Sequence, residues 1–314
     1  MKITYSIGVD IGGTNTDIGI VSSDGKCIAR SNIPTSSYYD IHLFVKDLVL
    51  AITQLMQTQS IDTVTGIGVG APNGNYYTGC IDYAPNLNFK GKIFLKDLIQ
   101  KHLNVPVRVS NDANAAAYGE MIYGGAKNMR DFIMITLGTG VGSGIVINGQ
   151  LVNGYDGNAG ELGHTIIFPG GRLCNCGRRG CLEQYTSARG MVQTCIEFIE
   201  QNSYHGVLST LPKEELGCKS IATAAYEGDP LAVKVFECTG YILGLALSNA
   251  VAFSSPEAIF LMGGPLKAGE LLLNPLRRSF DENLLAIYKD KIKILESELK
   301  ENEVAILGAA ALTK

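Results

Sequence analysis

No run of lysine or arginine long enough to track a phosphate backbone occurs in this 314-residue chain, whose net charge is only −4. That argues against nucleic acid as a partner. A secretory signal is also missing. The chain opens Met-Lys-Ile-Thr-Tyr-Ser-Ile-Gly, a strand-like pattern without a long apolar core or a small-residue cleavage site. The most apolar stretches, such as residues 242–253, contain Ser248 and Asn249 and stop short of the ~20 residues a membrane span requires. A cytoplasmic location without membrane attachment is therefore expected, and thiols stay reduced there. Charged residues make up only 18% and hydrophobic ones 46%, which excludes disorder. The length allows two domains with sizeable cores, and no low-complexity linker separates them.

Two common nucleotide signatures are absent as well. The chain has no G-x-x-x-x-G-K-[ST], so it is not a P-loop protein. Gly66-Ile-Gly-Val-Gly-Ala71 matches a loose dinucleotide pattern, but Pro72 follows at once and no helix opens there. A strand interior packed closely on a neighbour is the better reading.

What is present is a pattern that occurs twice. Ile7 and Val9 lead into Asp10-Ile-Gly-Gly-Thr-Asn-Thr16, then Ile18, Ile20 and Val21 lead to Asp24-Gly25, a tight-hairpin dipeptide. At Phe132 the order starts again: a strand over 132–137, a glycine turn over 138–144, a strand over 145–147 and then Asn148-Gly149. With an offset of 125, Gly13-Thr14 falls on Gly138-Thr139 and Gly19-Ile20-Val21 on Gly144-Ile145-Val146, which indicates an internal duplication. Between the copies we expect a helix over 41–57, a strand over 66–71, a helix over 94–103, a strand over 105–109 and an alanine-rich helix over 113–123. The remainder is mainly helical. Asp229-Pro230 opens a helix running to about Phe253, a strand over 258–262 meets Gly263-Gly264-Pro265, a helix runs on through Leu285, and a strand over 292–295 precedes a closing helix over 304–312. These elements place one domain at 1–124 and a larger one at 125–302, with the C-terminal helix at about 303–314 folding back on the first.

Turns such as Gly12-Gly13-Thr14 expose backbone N–H groups that can cradle phosphate oxygens, and Asp10 at the end of a buried strand is placed to hold magnesium. One glycine hairpin is often only structural; two matched ones suggest two halves closing on one nucleotide. Asp112 follows a strand and opens a helix. It serves either as a helix cap or as a base accepting the proton of a hydroxyl that attacks a γ-phosphate. Glu161-Leu-Gly-His164 and Cys174-Asn-Cys176-Gly-Arg-Arg-Gly-Cys181-Leu-Glu183 bring three thiols and an imidazole together, a tetrahedral zinc set with no open catalytic position. Glu161 and Glu183 flank these ligands and are candidates for hydrogen bonds to sugar hydroxyls.

Together these segments, with Asn111-Asp112, residues 137–144 and Gly263-Gly264, resemble the ROK family (repressor, open reading frame, kinase) over essentially the whole chain. The cysteine segment is the most specific part. The resemblance implies a duplicated pair of actin-like, ribonuclease H-like α/β domains with a central cleft, and an ATP-dependent kinase acting on a sugar 6-hydroxyl with Asp112 as base. It implies that Asn86, Asn111, Glu161, His164 and Glu183 contact the sugar. It places ATP on Gly12, Gly13, Thr14, Asn15, Gly138, Thr139, Gly140, Gly263 and Gly264, the last two near the adenine. Pro265 stands where many relatives carry a third glycine. Structural zinc on His164, Cys174, Cys176 and Cys181, magnesium at Asp10 and a homodimer complete the expectation.

The family also holds sugar-responsive repressors, which carry a DNA-binding domain ahead of the first phosphate loop. Here the first strand begins by Ile3 and Asp10 follows, so that reading is disfavoured. A non-catalytic sugar sensor would need a damaged Asp10, Asp112 or phosphate loop, and an actin- or chaperone-like ATPase would not need the cysteine segment. Glucose is the expected substrate, with N-acetylmannosamine or N-acetylglucosamine as the alternative.

Overall fold

The computed structural model describes residues 3–201 and 206–314. Met1, Lys2 and residues 202–205, which fall within the two expected domains, lie outside the described residues. In chain order the first part runs β1 (Tyr5–Ile11), β2 (Thr16–Ser22), β3 (Cys27–Ile33), α1 (Ile41–Thr58), β4 (Ile67–Gly70), the short pair β5 (Ile81–Asp82) and β6 (Lys92–Ile93), α2 (Leu95–Gln100), β7 (Val107–Ser110) and α3 (Asp112–Tyr123). The second part runs β8 (Phe132–Leu137), β9 (Val141–Ile147), β10 (Gln150–Leu151), α4 (Glu183–Thr186), α5 (Ala188–Glu200), α6 (Cys218–Tyr226), α7 (Pro230–Ser254), β11 (Ala258–Met262), α8 (Glu270–Asn283), β12 (Lys293–Glu296) and α9 (Val304–Ala311).

The first sheet has the order β3-β2-β1-β4-β7, with β2 antiparallel to β1 and both β1–β4 and β4–β7 parallel. The second has the order β10-β9-β8-β11-β12, with β10 antiparallel to β9 and both β8–β11 and β11–β12 parallel. The wiring is the same in both. An offset of 125 carries the bounds of β2 onto those of β9, so the repeat in the sequence is a repeat in the fold. Each copy also closes its second strand with a glycine in the left-handed region, Gly25 at φ 86° and Gly149 at φ 74°. Strand β9 begins earlier than the glycine pattern suggests. Gly142 and Gly144 belong to it, and a side chain at Gly144 would meet Ala117 Cβ at 2.5 Å.

By internal contacts the chain divides into two compact units, residues 1–130, 144–160 and 297–314 in the first, residues 131–143 and 161–296 in the second. Residues 144–160, expected in the second domain, join the first through specific bonds: Asn75 Nδ2 donates to Asp156 O (2.7 Å) and Tyr77 Oη to Gly154 O (2.9 Å).

The first core is built from aliphatic and aromatic residues such as Ile7, Val9, Phe44, Leu48, Ile67 and Val69, all buried. Helix α9 lies against β1, β2, β4 and α3. Such close packing needs glycine: a Cβ on Gly8 would sit 2.0 Å from Ile306 O, and one on Gly68 1.8 Å from Ala309 O. The Gly66-Ile-Gly-Val-Gly stretch is thus a strand interior carrying a helix. The second core gathers Ile133, Ile135, Phe236, Leu243, Leu247, Ile259 and Leu261. Helix α7 is capped as its sequence suggests, Asp229 accepting from Leu231 N and Ala232 N with Pro230 in the first turn. Its 25 residues run as expected to about Phe253, and although an 18-residue stretch of it has a mean hydropathy of 1.4, Leu231, Val235, Phe236, Leu243, Leu247 and Val251 are core of the second unit.

Candidate active site

In the first unit, Asp10 stands near the end of β1, opposite Asp17 on β2 and Gly70 on β4. Burial, then the nearby Asp112 and Asp17 carboxylates, push its pKa up to about 7. Gly70 leaves the space between the two acids open, since a Cβ there would lie 3.6 Å from Asp112 Cα and 3.7 Å from Asp10 Oδ1. Nothing in the sequence pattern singled out Gly70 or Asp17 for the site. Their signal is strand register, which only pairing reveals.

The structure separates the two roles open to Asp112. The N-cap of α3 is Asn111, whose Oδ1 accepts from Ala113 N (2.8 Å) and Asn114 N (3.4 Å). Asp112 is the first helical residue, and its Oδ1 accepts from Ala113 N (2.8 Å). Its side chain is reachable by solvent yet densely surrounded by protein, and this desolvation raises its pKa against the opposing pull of the Ala113 N–H. A carboxylate raised in this way is the better proton acceptor. The Asn111 Nδ2 has no protein acceptor among the described residues.

The first glycine turn is closed by Gly12 N donating to Asn15 O (2.9 Å). Gly12 therefore holds the turn's shape, and the N–H groups of Gly13, Thr14 and Asn15 are left without a protein acceptor among the described residues. Gly13 is glycine because of close approach rather than dihedral angle: a Cβ would lie 2.8 Å from Asn86 O, so the turn packs directly on the backbone at Asn86. The side chain of Asn86 is exposed.

In the second unit the matching turn is closed by Gly138 N donating to Gly140 O (2.9 Å), and the N–H groups of Thr139 and Gly140 have no protein acceptor among the described residues. Around Gly138 there is open space, with no atom within 4 Å of an added Cβ. Gly263 follows β11 at φ 121° with Leu137 O only 1.9 Å from any added Cβ, while Gly264 faces open space and Pro265 is buried. The proline thus fits its place as the opening of a short 3-10 turn over Gly264–Ala268.

His164, Cys174, Cys176 and Cys181 bring one ligand atom each to within 4.8 Å of all the others. Cys174 Sγ lies 3.6 Å from His164 Nδ1, and Cys176 Sγ 3.6 Å from Cys181 Sγ. The edge of a tetrahedron with zinc–sulfur bonds of about 2.3 Å is about 3.7 Å, so the donor set fits zinc in size and chemistry. Gly177 and Gly180, at φ 86° and 83°, make the turns that bring the thiols round. The other imidazole nitrogen, His164 Nε2, faces Glu161 Oε2 at 4.0 Å. Arg172, not anticipated from the sequence, locks this segment to α5. Its guanidinium donates to Glu197 through Nε (2.8 Å) and Nη2 (2.6 Å), to Gln184 O and to Thr194 Oγ1.

Glu183, the first residue of α4, does not point freely outward. Its Oε2 accepts from Val141 N (3.1 Å), and its Oε1 lies 3.9 Å from Cys174 Sγ. The Glu161–His164 turn packs on the same strand, since a Cβ on Gly163 would meet Val141 O at 2.1 Å, and Leu162 N donates to Ser143 Oγ (3.1 Å).

Comparison with known proteins places this arrangement. Residues 6–314 match the model of the ROK family. A glucokinase of Halalkalibacterium halodurans is 34% identical over 100% of this chain and 96% of its own length. A xylose repressor of Bacillus spizizenii is 30% identical over 97% of this chain but 76% of its own. The crystal structure of a ROK family glucokinase from Streptomyces griseus in complex with glucose and AMPPNP has a TM-score of 0.78 at 32% identity, covering 98% of each chain. The repeated α/β units are thus of the actin-like type.

Proposed function

The chain belongs to the ROK family, and from that premise we propose that it is an ATP-dependent hexose kinase that phosphorylates the 6-hydroxyl of glucose. The observation that carries this reading is the freedom of Asp112: Asn111 caps α3, so the raised carboxylate beside it is left for chemistry. In the reaction the sugar oxygen attacks the γ-phosphorus, its proton passes to Asp112, an O–P bond forms, and the bond to the β-phosphate oxygen breaks to release ADP. Backbone N–H groups of Gly13, Thr14, Asn15, Thr139 and Gly140 receive phosphate oxygens, while Gly263 and Gly264 border the adenine. Asp10 is the magnesium residue; the ion neutralises phosphate charge when bound. Asn86, Asn111, Glu161, His164 and Glu183 hold the sugar hydroxyls.

His164, Cys174, Cys176 and Cys181 would hold a structural zinc, which fixes the neighbouring acids in place. This use of free thiols suits the cytoplasm. We expect a homodimer and no nucleic-acid partner. Intact Asp10 and Asp112 favour the kinase over a non-catalytic sugar sensor. The test is an ATP-coupled assay with glucose, mannose, fructose, N-acetylglucosamine and N-acetylmannosamine. Turnover highest with glucose is expected. Highest turnover with an N-acetylhexosamine would overturn the substrate assignment, and binding without any turnover would overturn the kinase.

A further inference from the structure

The second glycine turn does not stand alone; Glu183 of the cysteine segment, the start of α5 and the turn at Gly163 each hold it. Val141 N donates to Glu183 Oε2 (3.1 Å), Ala188 N donates to Gly138 O (2.9 Å), and Val141 O lies where Gly163 could carry no side chain. Gly140 is shaped to the same carboxylate, since a Cβ there would come 2.5 Å from Glu183 Oε2. Glu183 follows the ligand Cys181 by two residues and lies 3.9 Å from the ligand Cys174, and Gly163 precedes the ligand His164.

We propose that Glu183 is a positioning residue for the nucleotide: its carboxylate fixes the turn over 138–141, so that the metal-braced segment sets the shape of the phosphate cradle as well as the sugar site. This rests on the kinase reading above and extends it. One oxygen of Glu183 is committed to Val141 N–H; the other, Oε1, accepts from Gln184 Nε2 (3.5 Å) and keeps a second lone pair for a sugar hydroxyl. The acid thereby joins the two substrate sites within one side chain. A charge-assisted hydrogen bond to backbone N–H is strong enough for its loss to be read in binding.

The experiment measures AMPPNP binding calorimetrically without sugar, alongside zinc content, for the full chain and for Glu183→Ala, Glu183→Gln and Gly140→Ala. Glu183→Ala should bind AMPPNP about ten-fold more weakly, ~1.4 kcal/mol, with zinc retained. Glu183→Gln, whose amide oxygen still accepts from Val141 N–H, should stay within about three-fold of the parent, a split that general unfolding would not produce. Gly140→Ala disturbs the contact from the loop side, so it should weaken AMPPNP binding even if Glu183→Ala proves unstable. Parent-like nucleotide binding in both alanine variants would overturn the proposal while leaving the kinase reading intact. Failure of the parent protein to bind AMPPNP would overturn the kinase reading, and this inference with it.

Discussion

Replacing Asp112 by alanine separates chemistry from folding more cleanly than any other change in this protein. Asn111 continues to cap α3 through Ala113 N and Asn114 N, so the helix start survives. The variant loses one hydrogen bond, from Ala113 N, and one acid in the first turn of the helix, worth about 0.3–1 kcal/mol. Against this it removes a desolvated carboxylate that also repels Asp10. The two effects nearly offset, and the melting temperature should move by no more than about 3 °C. Loss of a general base costs ~10²–10⁴ in kcat, or about 3–5 kcal/mol of transition-state stabilisation. The assay is steady-state kinetics with glucose and ATP, paired with calorimetric melting and AMPPNP binding, which should be nearly unchanged. The pH profile supplies a second check. The base works ionised, so activity falls as pH drops through its pKa, and burial places that limb above the range of an ordinary aspartate. The limb should vanish in Asp112→Ala. A variant keeping more than about a tenth of the parent kcat would refute the role of base. So would a drop of several kcal/mol in stability with activity lost in proportion, because the residue would then be structural.

Asp10→Asn should abolish magnesium-dependent turnover yet stabilise the metal-free protein at pH 8. The folded pKa of Asp10 is raised from 3.8 to about 7, so the folded state binds more protons than the unfolded one between these values, and stability declines as pH rises through that window. Melting of the parent protein at pH 5 and pH 8 without magnesium should show the decline, about 2 kcal/mol after allowance for partial exposure, and the Asn variant should lack it. Metal analysis should find about one zinc per chain, and chelation should lower both the melting temperature and glucose affinity; a zinc-free chain with full activity would remove the metal from the account. Gly263→Ala should destabilise by about 3 kcal/mol or more, because φ 121° is strained for alanine and Leu137 O stands 1.9 Å from the new Cβ. An unchanged denaturant midpoint would count against this reading of β11.

The repeat at offset 125 was legible because glycine turns and hairpin dipeptides are local signals, and the shared wiring of the two sheets follows from them. The cysteine segment was legible because ligand spacing is local too, down to the turns at Gly177 and Gly180. Element ends were less so. The helix expected over 94–103 is only Leu95–Gln100, and that expected to run on to Leu285 opens at Glu270 after a 3-10 turn. The cap of α3 is Asn111, a choice between two adjacent capping residues that propensity does not decide. What the sequence concealed were contacts made across long separations, namely Glu183 on Val141, Gly70 between two acids, and Asp156 on Asn75. Each depends on strand register or loop path, which no short window of residues encodes.

Helix α9 sits on Gly8 and Gly68 with almost no gap, and Gly308 meets the backbone at Ala115 in the same manner. A ribosome delivers β1 and β4 first and α9 nearly 300 residues after β1. Until those last residues emerge, the first sheet has a bare strip of glycine backbone where a helix belongs, and no bulky side chain to shield it. The first unit therefore cannot complete its packing until the second has been synthesised, and a nascent chain must keep that face open for as long.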